Sequence, residues 1–205
     1  VDMEFYDDRT KFDDIQSELE KLDKHALEVG FFGGTEDNNF YAMIAYVHEF
    51  GMTIKAKKSY LTIPTKEAGM RKASEIEGLF RPKGTDILAV SDGSGGLTVM
   101  FYLKKQVKIP ERSFMRTTFD TKINSWLEFF EDQIELVVTG ELKAKQCFER
   151  LGQRMVSDIQ QKMTDVRTPP LSPATVQRKG STNPLLDTGE LRRRVTYKVV
   201  TDYGE

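Results

Sequence analysis

The stretch SFMRTTFDTKINSWLEFFEDQIELVVTGELKAKQCFERLGQRMVSDIQQKMTDV, residues 113–166, decides the fold. In its first half Met115, Phe119, Ile123, Trp126, Leu127, Phe130 and Ile134 recur at helical steps of three and four. Gly140 interrupts the pattern. A second stripe then runs through Leu142, Phe148, Leu151, Met155, Ile159 and Met163. Two long amphipathic helices, 113–138 and 141–166, joined at a glycine predict an antiparallel pair. Ser113 is placed to cap the first of them, and Pro110 closes the strand before it.

The segments on either side supply a sheet for that pair to cover. Residues 26–33, 54–63, 86–107 and 195–200 read as strands, with 86–90 and 97–107 forming a hairpin around the Ser91-Asp92-Gly93-Ser94-Gly95-Gly96 tip. Helices are expected at 11–24 (Phe12, Ile15, Leu19, Leu22), at 65–77, and over Phe40 to Phe50, where Gly51 serves as the stop. After residue 167 the chain changes character. Thr168-Pro169-Pro170-Leu171-Ser172-Pro173 fits neither helix interior nor sheet interior, because its prolines lack donors and fix φ. Ser172 with Pro173 opens a short helix over 173–179, and Asp187 or Thr188 caps another ending at Leu191. The expectation is an α+β fold with a mixed or antiparallel sheet against two long helices. Residues 1–167 form the core, and 168–205 a Pro-rich C-terminal arm.

Composition narrows the function. The 205 residues are 30% charged, with a net charge of −2, which gives no global attraction to nucleic acid or anionic membrane. No apolar run approaches the roughly 18–20 residues of a membrane span, and the acidic N-terminus lacks the features of a signal peptide, so the expectation is cytoplasmic synthesis. Cys147 is the single cysteine, which excludes intrachain disulfides and Cys-rich metal sites. Charge is nonetheless segregated: residues 1–37 carry −8, 38–139 carry +2 and 140–205 carry +4. These ends are either solvated faces or complementary surfaces that set the register of neighbouring subunits.

Catalytic constellations are not assembled. His48-Glu49 resembles the start of a zinc-protease helix motif, but Met52 stands where the second histidine is needed, and His25 is the only other histidine. Gly93-Ser94-Gly95-Gly96 runs on into strand residues rather than a Gly-Lys-Ser/Thr helix start, so it is a hairpin tip and not a phosphate cradle. Cys147 has no neighbouring base in sequence, and the adjacent Glu131 and Asp132 diverge on a helix. No catalytic, cofactor-binding or metal-binding residue is assigned, and no cofactor is expected. Two basic segments remain: Lys55, Lys57 and Lys58, and the run Arg192, Arg193 and Arg194. Edge protection and subunit contact are their favoured roles, with phosphate contact as the alternative.

Three motifs carry a resemblance. They are YAMIAYVHEFG at 41–51, IPERSFMR at 109–116, and PPLSPATV at 169–176 with Lys179-Gly180, followed by PLLDTGEL at 184–191. In this order and spacing they resemble the virion morphogenesis and tail-completion proteins of tailed bacteriophages. These are the families around minor tail protein Z of lambda-like phages and tail protein G of Mu-like phages. The similarity extends over residues 26–200. It implies a non-enzymatic component of the virion, made in the host cytoplasm and forming a homo-oligomeric ring at the head–tail neck or completing the tail. Its partners would be other neck, connector or tail proteins, with no membrane. The alternative is a packaging or portal-adjacent module touching DNA in the channel, through the lysines of 55–58 or the arginines of 192–194. The expected subunit-interface residues are Arg112 and Arg116, one helical turn apart; Pro170 and Leu171 of the arm; the basic Arg192, Arg193 and Arg194; and the acidic Asp7, Asp8, Asp13 and Asp14.

Overall fold

The computed structural model describes residues 9–201. In chain order the elements are α1 (Arg9–Leu22), β1 (Ala26–Gly30), α2 (Glu36–Phe50), β2 (Met52–Lys55), β3 (Leu61–Pro64), a single 3-10 turn (Ala73–Glu75), β4 (Ile87–Ser91), β5 (Leu97–Lys104) and β6 (Gln106–Ile109). There follow α3 (Met115–Val138), α4 (Ala144–Asp165), α5 (Pro173–Lys179), α6 (Glu190–Arg193) and β7 (Thr196–Val200). All strand pairs are antiparallel, and the fold is α+β. Contacts divide the chain into two units. One holds the residues up to Ala45, Phe114–Asp165 and those from Gly189 onward; the other holds Tyr46–Ser113 and Val166–Thr188. The division expected at 167/168 does not coincide with this, because residues 168–188 pack with the second unit and 189–201 with the first.

In the first unit α3 and α4 pack along each other, α4 lies on the β1–β7 pair, and α1 rests on both long helices. The predicted stripes are inward only in part: Trp126, Phe148, Ile159 and Met163 are buried, whereas Phe119 and Leu127 of the first stripe are exposed. Trp126 is 2% exposed, and its indole Nε1 donates to Asp158 Oδ2 at 2.7 Å, so the polar edge of a core aromatic is satisfied. Val137, Leu142 and Cys147 form a cluster with Leu22, Phe130, Ile134 and Leu136 where the two helices turn back. α4 approaches β7 closely at Gly152, where a Cβ would stand 2.5 Å from the Tyr197 ring.

The second unit contains the three-stranded sheet β3-β5-β4 and the separate two-stranded ribbon β2-β6. Its core is Ala68, Met100 and Phe101, packed against Ala73, Ile76, Leu79, Leu88 and Val90. The expectation of one sheet is therefore corrected: strands 26–30 and 196–200 pair in the first unit, and the others make two sheets in the second. The expected strand 54–63 is two strands separated by residues 56–60, and 97–107 bends at Lys105. The lysine-rich segments at these bends offer no alternating apolar face to keep one sheet continuous.

Three local expectations are also corrected. Residues 65–77 are turns with one 3-10 turn instead of a helix. Thr65 Oγ1 donates to the carbonyls of Val99 and Met100, and Gly69 takes φ +61, so the segment is tied to β5 instead of coiling. Ser113 does not cap α3, whose N-cap is Phe114, because its hydroxyl is bonded to Glu49. Gly189, and not Asp187 or Thr188, precedes α6.

Candidate functional site

The three motifs meet in the second unit at Arg112. Its backbone N–H donates to the carbonyl of His48 at 2.7 Å. Its guanidinium donates from Nε to the Pro169 carbonyl at 2.7 Å and from Nη2 to the Pro170 carbonyl at 3.2 Å. The side chain is matched to its target: a rigid fork of donors reaches two successive carbonyls of a proline pair that no strand ladder serves. Arg112 is 4% exposed, and burial holds its pKa below the usual arginine value. The next residue repeats the connection, since Ser113 Oγ donates to Oε1 of buried Glu49 at 2.7 Å. Gly51 completes it. A Cβ there would stand 2.8 Å from the Glu111 N, and its φ of +70 suits glycine.

The third motif closes on itself around a lysine. Lys179 Nζ donates to the Asn183 carbonyl at 2.7 Å. Asn183 Oδ1 in turn accepts from the backbone N–H groups of Leu185 at 2.8 Å and Leu186 at 2.9 Å. α5 opens as the sequence predicts, with Ser172 accepting from the Thr175 N–H and Pro173 in the first turn; Gly180 ends it in the left-handed region. His48 feels the charge of both cations. Burial first, then Arg112 and Lys179, lowers its pKa to about 4, and its buried Nδ1 has no hydrogen-bond partner. Burial also lowers the pKa of Lys179, against the opposing pull of Asp187. The result is a clasp that ties three backbone segments together.

Several expected interface residues are therefore placed differently. Arg112 is turned inward and precedes α3, so it shares no helical face with Arg116, an exposed residue on the first turn of α3. Pro170 is exposed with its carbonyl held by Arg112, and Leu171 is half-buried. Arg192 and Arg193 of α6 and Arg194 after it do not form one patch. Arg192 Nη1 donates to Thr164 Oγ1 at 3.2 Å while its carbonyl accepts from Gln160. Arg193 pairs with Glu190, and Arg194 donates to Asn38 Oδ1 while lying 4.9 Å from the Tyr41 ring centre. Asp13 and Asp14 are exposed on α1; Asp7 and Asp8 lie outside the described residues.

Sequence reasoning did not anticipate the bonds of Lys179 and Asn183, or the pairing of the segment holding Lys104, Lys105 and Lys108 with β2. Lys179 is the last residue of α5 and Asn183 lies in the turn after it, and only folding sets the lysine's Nζ on the Asn183 carbonyl and its charge near His48. The lysines had a legible signal in the run LKKQVKIP at 103–110, which pairs with the basic β2. Cys147 is fully buried, and burial pushes its thiol up to about 11, the behaviour of a core residue. Among the described residues no group of three or more His, Cys, Asp or Glu is placed to hold a metal ion, and no helix is long and apolar enough to cross a membrane. Comparison with protein-family models, curated proteins and solved structures finds no match.

Proposed function

We propose that this chain is a structural, non-catalytic subunit of a tailed-bacteriophage particle, one that forms a ring at the head–tail neck or completes the tail. The Arg112 clasp carries the reading. The motifs that resemble tail-completion and morphogenesis proteins are bonded to one another through His48, Glu49, Arg112, Ser113, Pro169 and Pro170. A motif set used to hold backbone in place specifies a shape, which is what an assembling subunit must keep constant. Both units also expose large apolar side chains that a neighbour would cover: Phe119 and Leu127 on α3 in the first, Tyr46, Phe50 and Ile54 in the second. The partners are further copies of the chain and other neck, connector or tail proteins, and the site of action is the virion.

Negative-stain imaging of purified protein, alone and mixed with extracts of phage particles lacking it, tests the reading. Closed rings, or incorporation at one end of the tail, are expected. A protein that stays monomeric in both and restores no particle would refute it.

A further inference from the structure

We infer that the bent ribbon formed by β2 and β6 is a binding surface for the phosphate backbone of duplex nucleic acid, read without regard to sequence. The observation is a concentration of lysine. Residues 52–58 and 104–111 contain Lys55, Lys57, Lys58, Lys104, Lys105 and Lys108 against the single acid Glu111, a net of +5. The rest of the chain must then carry −7 of the overall −2. All six lysines are exposed, and none is in an ion pair among the described residues.

The fold brings them together. Thr53 pairs with Lys108 and Lys55 with Gln106, so Lys55 and Lys108 lie on one face of the ribbon, opposite the face of Met52, Ile54, Val107 and Ile109. Where the ribbon bends, the Ala56 N–H donates to the Lys105 carbonyl at 2.9 Å. Five of the six lysines therefore lie within two residues of that one hydrogen bond. Protection of a sheet edge explains lysines on strands. It does not explain Lys57, Lys58 and Lys105, which lie outside them.

The chemistry of the surface selects the ligand. Ammonium groups are point charges that suit phosphates, and the ribbon offers no arginine fork for a base edge. Residues 52–58 and 104–111 contain no aromatic on which unpaired bases could stack, and Tyr60 beside the bend is already covered by Arg81, 4.9 Å from its ring centre. A duplex is favoured over a single strand on that ground. The inference uses nothing from the particle reading, so either can fail alone: ring formation tests one and duplex binding the other.

The test is fluorescence anisotropy with a short labelled DNA duplex of arbitrary sequence. Binding at low salt is expected, with affinity falling about 10³-fold between about 50 and 200 mM salt if six phosphates are engaged. A scrambled duplex should bind equally, and a single strand more weakly. The variant K57Q/K58Q/K104Q/K105Q should melt like the wild type and lose roughly 3–4 from the salt slope, while Lys→Arg at the same four positions should retain binding. Acetylation of the wild-type protein, read by mass spectrometry, gives an answer even if the glutamine variant misfolds: duplex should protect Lys57, Lys58, Lys104 and Lys105 but not Lys83 or Lys162. The inference is overturned if the wild type does not bind duplex at low salt, or if the bend lysines are not protected. It is equally overturned if the folded glutamine variant keeps the wild-type salt slope. Stronger binding to polyglutamate than to duplex would assign the ribbon to an acidic protein partner instead.

Discussion

His48 shows how a single side chain can report on its surroundings. Its pKa is lowered from 6.5 to about 4 by burial and by the charges of Arg112 and Lys179. Above about pH 6.5 the ring is neutral in folded and unfolded chains alike and contributes no pH dependence. Between there and about pH 4 the unfolded chain takes up a proton that the folded chain refuses, so stability falls as pH falls; below about 4 both are protonated and the loss levels off. With allowance for partial exposure the loss is about 2 kcal/mol. Urea unfolding of wild type and His48→Leu across this range should show the wild type losing more. Carboxylates such as Glu18, whose pKa is lowered chiefly by Lys21, titrate equally in both proteins and cancel. Parallel curves would mean that His48 is solvated. Arg112 has the larger effect at neutral pH. Arg112→Met removes two charge-assisted bonds and leaves the Pro169 and Pro170 carbonyls without their donor, at a cost of about 2–4 kcal/mol in urea melts. An unchanged midpoint would show that the clasp is not needed for folding.

At the scale of elements, periodicity and local chemistry were differently legible. The stripe through Phe130 and Ile134 and the one through Phe148, Ile159 and Met163 gave both long helices, because 22 to 24 residues of amphipathic pattern have one low-energy solution. α5 was legible from Ser172, Pro173 and Gly180, each acting through its own backbone. What failed depended on distant partners. Residues 65–77 have helical composition, but Thr65 is bonded to β5, about 35 residues away in sequence. The splitting of 54–63 likewise follows from which strand pairs with which half, β6 or β5. The Arg112 clasp belongs to the same class: its carbonyl targets are 57 and 58 residues downstream, and no spacing rule joins them. The helix pair allows a graded test. Trp126→Ala should lower stability by about 3–5 kcal/mol as a core aromatic truncation. Trp126→Phe keeps most of the packing but leaves Asp158 without its indole donor, and should cost about 1–2 kcal/mol. Equal losses for the two would place the stabilisation in the hydrogen bond instead of the packing.

For the whole molecule the question is which surfaces a neighbouring copy meets. The segregation of charge, −8 over residues 1–37 and +4 over 140–205, first suggests a contact between the acidic end and Arg192, Arg193 and Arg194. Charge reversal at these arginines would not isolate that contact. Thr164, Glu190 and Asn38 each hold one of these arginines, so reversing all three to Glu would remove contacts within the first unit and lower its melting temperature as well as disturb assembly. The acidic side gives the cleaner test, because Asp13 and Asp14 are exposed on α1. Exposed ion pairs contribute only about 0–1 kcal/mol each and are screened by salt, so charge should govern the rate and salt dependence of assembly while apolar burial sets its final extent. Asp13→Lys with Asp14→Lys should therefore leave thermal melting within about 0.5 kcal/mol of wild type, as surface substitutions usually do. Assembly, followed by light scattering, should slow several-fold at low salt, and the difference should close as salt is raised. Replacing exposed Phe119 and Leu127 with Ser should instead weaken assembly at every salt concentration. If the double lysine variant assembles at the wild-type rate in low salt, the acidic face of α1 is solvated in the assembled state, and the register of the subunits is set by shape alone.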